Sequence, residues 1–145
     1  MKAFIRALGV VAVVAACADF EATEDPTFGL PDDLVTNPSF SANIAPIFDR
    51  RCATGGCHSA GTGQASLVLT PDRVHGETVN VPSVLRPGMD RIEPGDADNS
   101  WLVRMIEDDA ARRDDHPRMP LASRPLTANQ IENIRRWIEQ GAQQN

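Results

Sequence analysis

The chain has 145 residues, with 14 basic and 20 acidic side chains and a formal net charge of −6. That length holds one small domain and a tail. The acidic balance, with no basic stripe to neutralise phosphates, excludes nucleic acid as a partner.

The first six residues are Met-Lys-Ala-Phe-Ile-Arg, followed by an apolar run from Ala7 to Val14 and then Ala15-Ala16-Cys17. A basic start, a short apolar core and small residues before a cut describe a secretory signal, too short to span a bilayer comfortably. Val14-Ala15-Ala16-Cys17 resembles the lipobox of bacterial lipoproteins. That resemblance implies a signal peptide over residues 1–16 and lipidation of Cys17 as the first mature residue. Ala18, rather than Asp, after Cys17 points to the outer membrane, on the periplasmic side of the cell envelope. The alternative is ordinary cleavage nearby, with Cys17 removed or left as a stray thiol. Removing residues 1–16 takes Lys2 and Arg6, leaving 12 arginines, no lysine and a net charge of −8. Such a surface can steer a positively charged partner or simply aid solubility.

Residues 17–39 read as a lipid-anchored acidic tether. From Ala18 to Phe40 there are six acids, three prolines and no basic residue, and apolar side chains appear singly, without period. Such a composition is expected to be largely disordered. Fully stretched, its 23 residues reach on the order of 75 Å. The alternative is docking of Phe28, Leu30 and Leu34 onto the domain.

The domain is expected over residues 40–145. Ser41 or Asn43 can cap a first helix, with Pro46 tolerated in its first turn. Ile44, Ile47 and Phe48 then fall at i, i+3 and i+4 and lead into Cys52. The run Arg51-Cys52-Ala53-Thr54-Gly55-Gly56-Cys57-His58 is the most informative in the chain. Two thiols can add to the two vinyl groups of haem, and the histidine that follows is then held beneath the iron as proximal ligand. The common spacing places two residues between the cysteines, and here there are four. Gly55 and Gly56 suit the longer loop, because glycine takes up backbone conformations closed to other residues. Two alternatives compete. A Cys52–Cys57 disulfide would close a very short loop and constrain little of the unfolded chain. A zinc site drawing on Cys52, Cys57 and two of His58, His75 and His116 lacks the spacing of structural zinc folds.

Between residues 59 and 94, frequent Gly and Pro predict loops and turns. Leu67-Val68-Leu69 and Val79-Asn80-Val81 are possible short extended pieces, and His75 reads as a solvated loop residue. A second helix follows Pro94-Gly95-Asp96, capped by Asp98 or Asn99, with Trp101, Leu102, Met105 and Ile106 as its buried stripe. Arg112-Arg113 and Asp114-Asp115 read as a solvated turn. In the last helix Thr127 and Gln130 form a capping box, Ile131, Ile134 and Ile138 line one face beside Trp137, and Gly141 stops it. The fold class expected is all-α, three or more short helices around one covalently bound haem. The haem is a large apolar plate in a domain with few aromatic side chains, and its burial at roughly 25 cal/mol per Å² is a substantial contribution. Without it the domain is expected to be loosely ordered.

These pieces, in this order, resemble the class I cytochrome c fold, and more narrowly the planctomycete-type cytochrome c domain. The matching residues are Phe40-Ser41-Ala42-Asn43-Ile44-Ala45-Pro46-Ile47-Phe48, then Cys52 and Cys57-His58, then Ile92-Glu93-Pro94-Gly95-Asp96 with Ser100-Trp101-Leu102. Arg118-Met119-Pro120 and the stretch from Leu126-Thr127 to Gly141-Ala142 complete the set. The resemblance implies that Met119 is the sixth iron ligand. His/Met ligation raises the reduction potential and suits electron transfer. His116, three residues earlier, is the rival, and would give bis-His ligation at lower potential. Met89 is a loop alternative, and Met105 sits at helical spacing as core. Arg51, Arg86 and Arg91 are candidate partners of haem carboxylates, although solvation at the surface is the simpler role.

The function expected is a monohaem electron carrier bearing one haem c, anchored to the envelope membrane and serving redox partner proteins there. It is not expected to be an enzyme, since no nucleophile and base pair and no phosphate-cradling loop are present. The alternatives are a haem-based sensor or peroxidase-like enzyme with a labile sixth ligand, and a non-haem lipoprotein with a Cys52–Cys57 disulfide.

Overall fold

A computed structural model describes residues 29–61 and 63–145. The first helical segment begins as a π-helical turn, Phe40–Ile44, and continues as α1, Ala45–Arg51. Its cap is Ser39, not Ser41 or Asn43. The Ser39 hydroxyl accepts from Ala42 N–H at 3.3 Å, while Asn43 Oδ1 accepts from Ser39 N–H at 2.9 Å. This reciprocal exchange satisfies donors that a helix start leaves free. Asn145 covers two more, accepting from Phe40 N–H through Oδ1 at 2.8 Å and from Ser41 N–H through its main-chain oxygen at 2.9 Å. Ile44, Ile47 and Phe48 are fully buried, as their spacing predicts. At about 1.5–3 kcal/mol for each such side chain, this face is what holds the short helix in place.

A second helix, α2 (Val74–Thr78), lies in the stretch expected to be loops, turns and short extended pieces. It is one turn long, and Val74 and Thr78 face the core. His75 is accordingly not a solvated loop residue. Its Nε2 lies 2.8 Å from the Ala142 carbonyl, and its ring meets Phe40 edge-on at 5.6 Å. The chain from Thr78 to Ser83 then pairs loosely with Met89 to Ile92 through isolated bridges at Val79–Ile92 and Pro82–Asp90.

Helix α3, Trp101–Ile106, follows Ser100. No side chain caps it, contrary to the expectation for Asp98 or Asn99. Its first N–H groups are taken by carbonyls instead, Trp101 N–H by Asp90 at 3.0 Å and Leu102 N–H by Arg91 at 2.9 Å. Helix α4, Ala128–Glu139, carries the expected capping box, with Gln130 N–H donating to Thr127 Oγ1 at 3.1 Å and Thr127 N–H to Gln130 Oε1 at 3.2 Å. Gly141, at φ +95°, ends it. Ile134, Trp137 and Ile138 join the α1 side chains, Val74, Ile92, Leu102, Val103 and Ile106 in one hydrophobic core.

Residues 29–39 depart from the expected tether over nearly its second half. They lie along α4 rather than free of the domain. Asn129 donates to the Asp32 carbonyl at 2.9 Å and Asn133 to the Asp33 carbonyl at 2.8 Å, while Asn133 Oδ1 accepts from Val35 N–H at 2.9 Å. Arg136 and Gln140 each donate at 3.0 Å, to the Val35 and Thr36 carbonyls. Leu30 is buried, and Leu34 is half exposed. Among the described residues no helix is long and apolar enough to cross a membrane. The expected signal, Cys17 and the earlier part of the tether lie outside the described residues.

Candidate functional site

Helix α1 delivers Cys52. The Cys52 N–H and the Ala53 N–H both reach the Phe48 carbonyl at 2.9 Å, so the helix end runs straight into the thiol pair. The four intervening residues then fold back. Cys57 N–H donates to Thr54 at 3.0 Å, and His58 N–H to the Cys52 carbonyl at 3.2 Å. Gly56 makes that return possible at φ +82°, a conformation a β-carbon disfavours. The far side is fixed by Gln64 N–H on the Cys57 carbonyl at 3.1 Å and Leu69 N–H on the His58 carbonyl at 2.8 Å. The longer spacing is therefore absorbed as an ordered turn.

His58 Nδ1 lies 3.1 Å from the Leu67 carbonyl. A carbonyl only accepts, so Nδ1 carries the proton and the neutral ring keeps its lone pair on Nε2. Metal-bound histidines use this arrangement, in which a main-chain acceptor fixes both tautomer and ring orientation. No sequence signal marks the Leu67 carbonyl, because every residue has one.

Both thiols are free and half buried. Desolvation pushes Cys52 up to about 12, from an ordinary 9.0, with the Arg51 cation opposing and Cys57 adding to the rise. Cys52 is therefore a protonated, apolar thiol in this structure. Arg51 itself is buried, not solvated. It donates to the Arg124 carbonyl, and its Nε has no acceptor among the described residues. Arg91 is buried too and donates to the Glu77 carbonyl at 2.7 Å, whereas Arg86 is exposed and pairs with Asp114.

The two candidate sixth ligands share one loop after α3. Met119 is half buried, its side chain against the core, and its N–H donates to the Met105 carbonyl at 2.7 Å. Its rival His116 is turned edge-on to Trp101, ring centroids 5.8 Å apart. Met105 is buried on α3, as its spacing predicts, and Met89 lines a separate surface cavity of about 400 Å³ with Asp90, Glu93, Asp96 and Asn99. Arg113 is buried, contrary to the expected solvated turn, and donates to the Glu107 carbonyl at 2.6 Å and the His116 carbonyl at 3.0 Å.

These residues fit a haem on three observations. His58 presents a free Nε2. Cys52, Ala53, Leu67, Val79, Met119 and Ile131 are partly buried apolar side chains at the margin of one core, from elements far apart in sequence. Arg51 Nε and Trp101 Nε1 are buried donors without acceptors, suited to the carboxylates such a group carries. The zinc alternative does not assemble. Among the described residues no three of His, Cys, Asp and Glu gather in metal-binding reach, and His75 and His116 are engaged elsewhere. No protein-family model matches this chain, and no curated protein and no solved structure matches it either.

Proposed function

We propose that this protein is a monohaem c-type cytochrome of the class I kind, a lipid-anchored electron carrier of the bacterial cell envelope. One observation carries the reading. The thiol pair and the histidine sit on a turn ordered at both ends, and the Leu67 carbonyl holds the His58 ring with Nε2 free.

In this reading Cys52 and Cys57 hold the haem through thioethers, His58 supplies the proximal nitrogen and Met119 the sixth ligand. The bound haem supplies reversible one-electron transfer. The chain's own residues supply the rest. The Leu67 carbonyl fixes the His58 tautomer and ring orientation. The apolar margin excludes water and so favours the less charged, reduced state. The free Arg51 Nε offers a donor to a haem carboxylate. Cys17 carries the lipid at the periplasmic face of the envelope, in the outer membrane, and the partners are redox proteins of that compartment. With a net charge of −8 after the leader, a positively charged partner face is favoured.

The test is maturation in a periplasm with haem-ligation machinery, followed by intact mass and visible spectra of wild type, Met119→Ala and His116→Ala. The expected result is one covalent haem and a low-spin six-coordinate iron that Met119→Ala alone destroys. A high-spin wild type that binds CO readily would overturn the carrier reading in favour of a sensor or peroxidase-like enzyme. A mass of polypeptide and acyl groups only would overturn haem attachment altogether.

A further inference from the structure

His116 and Met119 stand three residues apart on one loop, and either side chain is chemically able to bind a haem iron. Imidazole in place of thioether lowers the potential. A carrier tuned by methionine therefore needs something that withholds the histidine.

The loop is fastened to the end of α3 at two points. A helix end leaves its last carbonyls without intrahelical partners. Here the Met105 carbonyl takes the Met119 N–H, and the Glu107 carbonyl takes the Arg113 guanidinium at 2.6 Å. The same guanidinium grips the His116 carbonyl at 3.0 Å through Nε, and the Arg113 carbonyl accepts from His116 N–H, also at 3.0 Å. The main chain of His116 is thus held on both sides by one residue, and Trp101 covers its ring edge-on. Arg113 is only 7% exposed and makes no ion pair among the described residues. A buried cation whose hydrogen bonds are all to carbonyls resists losing any of them, because a stranded charge is costly. Met119 is tied through its N–H to Met105, and its half-buried side chain packs at the core margin without a hydrogen bond to Arg113.

We propose that Arg113 is a positioning residue that selects the sixth ligand, holding His116 against Trp101 so that Met119 is the side chain offered to the iron. This rests on the haem-carrier reading above and extends it to the control of ligand identity.

The experiment uses haem-loaded full-length protein: wild type, Arg113→Gln, and Arg113→Gln combined with His116→Ala. The readouts are the near-infrared signature of thioether-to-iron ligation, the reduction potential and a thermal melt. Wild type is expected to show thioether ligation. Arg113→Gln is expected to lose it for imidazole ligation, with a lower potential, and the double variant to regain the wild-type signature. Thioether ligation unchanged in Arg113→Gln would overturn the proposal, as would a double variant that fails to recover it. Should Arg113→Gln not fold, Trp101→Leu releases the other side of the clamp. It is expected to shift ligation the same way, reversed by His116→Ala, and an unchanged spectrum in that variant overturns the proposal. A wild type with two histidine ligands refutes the clamp while leaving the carrier in place. A wild type without haem refutes the carrier reading and the clamp with it.

Discussion

Leu67 contributes a main-chain oxygen, and that oxygen decides which nitrogen of His58 is available. Cys52 shows a second effect of setting. Because its folded value lies above the ordinary 9.0, the protein favours the thiol over the thiolate. In the haem-free chain the stability it adds is complete below pH 9 and is lost as pH rises towards 12. Denaturant midpoints of the haem-free protein are expected to fall between pH 9 and pH 11, and less so in Cys52→Ala. At pH 8, iodoacetamide followed by mass spectrometry is expected to label Cys57 before Cys52, since only the thiolate reacts. The cysteines and His58 were legible in the sequence as a motif. The burial of Arg51, Arg91 and Arg113 was not, because each donates to main-chain carbonyls that no sequence pattern announces.

Among the elements, α4 depends most on its local chemistry. Thr127→Ala removes the acceptor for Gln130 N–H and a hydroxyl that also donates to the Asp32 carboxylate. A loss of about 1 kcal/mol in urea unfolding is expected, with Thr127→Ser recovering most of it. The helices that sequence foretold are those whose buried stripe runs over several turns or whose cap is a recognisable pair, as in α1 and α4. Helix α2 escaped notice because five residues with Gly76 among them carry no period. It exists because Val74 and Thr78 reach the core and His75 closes on Ala142, all of which are tertiary effects. The cap of α3 was misplaced for a related reason. Its free N–H groups are served by the Asp90 and Arg91 carbonyls, delivered by a distant loop.

Over the whole molecule, both ends of the described stretch are tied to helices. Asn145 serves the start of the first helical segment, and residues 29–39 run along α4. The strap was read as part of an acidic tether because most of its bonds to α4 are made by its backbone, and its side chains show no pattern. Asn133 is fully buried, and both ends of its amide serve the strap. Starting the chain at residue 40 strips those partners away. Compared with a chain starting at residue 29, it is expected to lose about 1–3 kcal/mol of stability in denaturant unfolding.

The strap also sets how far an anchored domain can roam. With Cys17 lipidated as proposed, the span from the anchor to the first strap residue ends at residue 29 instead of residue 40, so its contour is at most about 40 Å rather than roughly 75 Å. The volume swept by a flexible leash scales roughly as the three-halves power of its length, so the shorter one leaves about two-fifths of it. The domain would then meet a membrane-bound partner about two to three times more often, and a distant one less often.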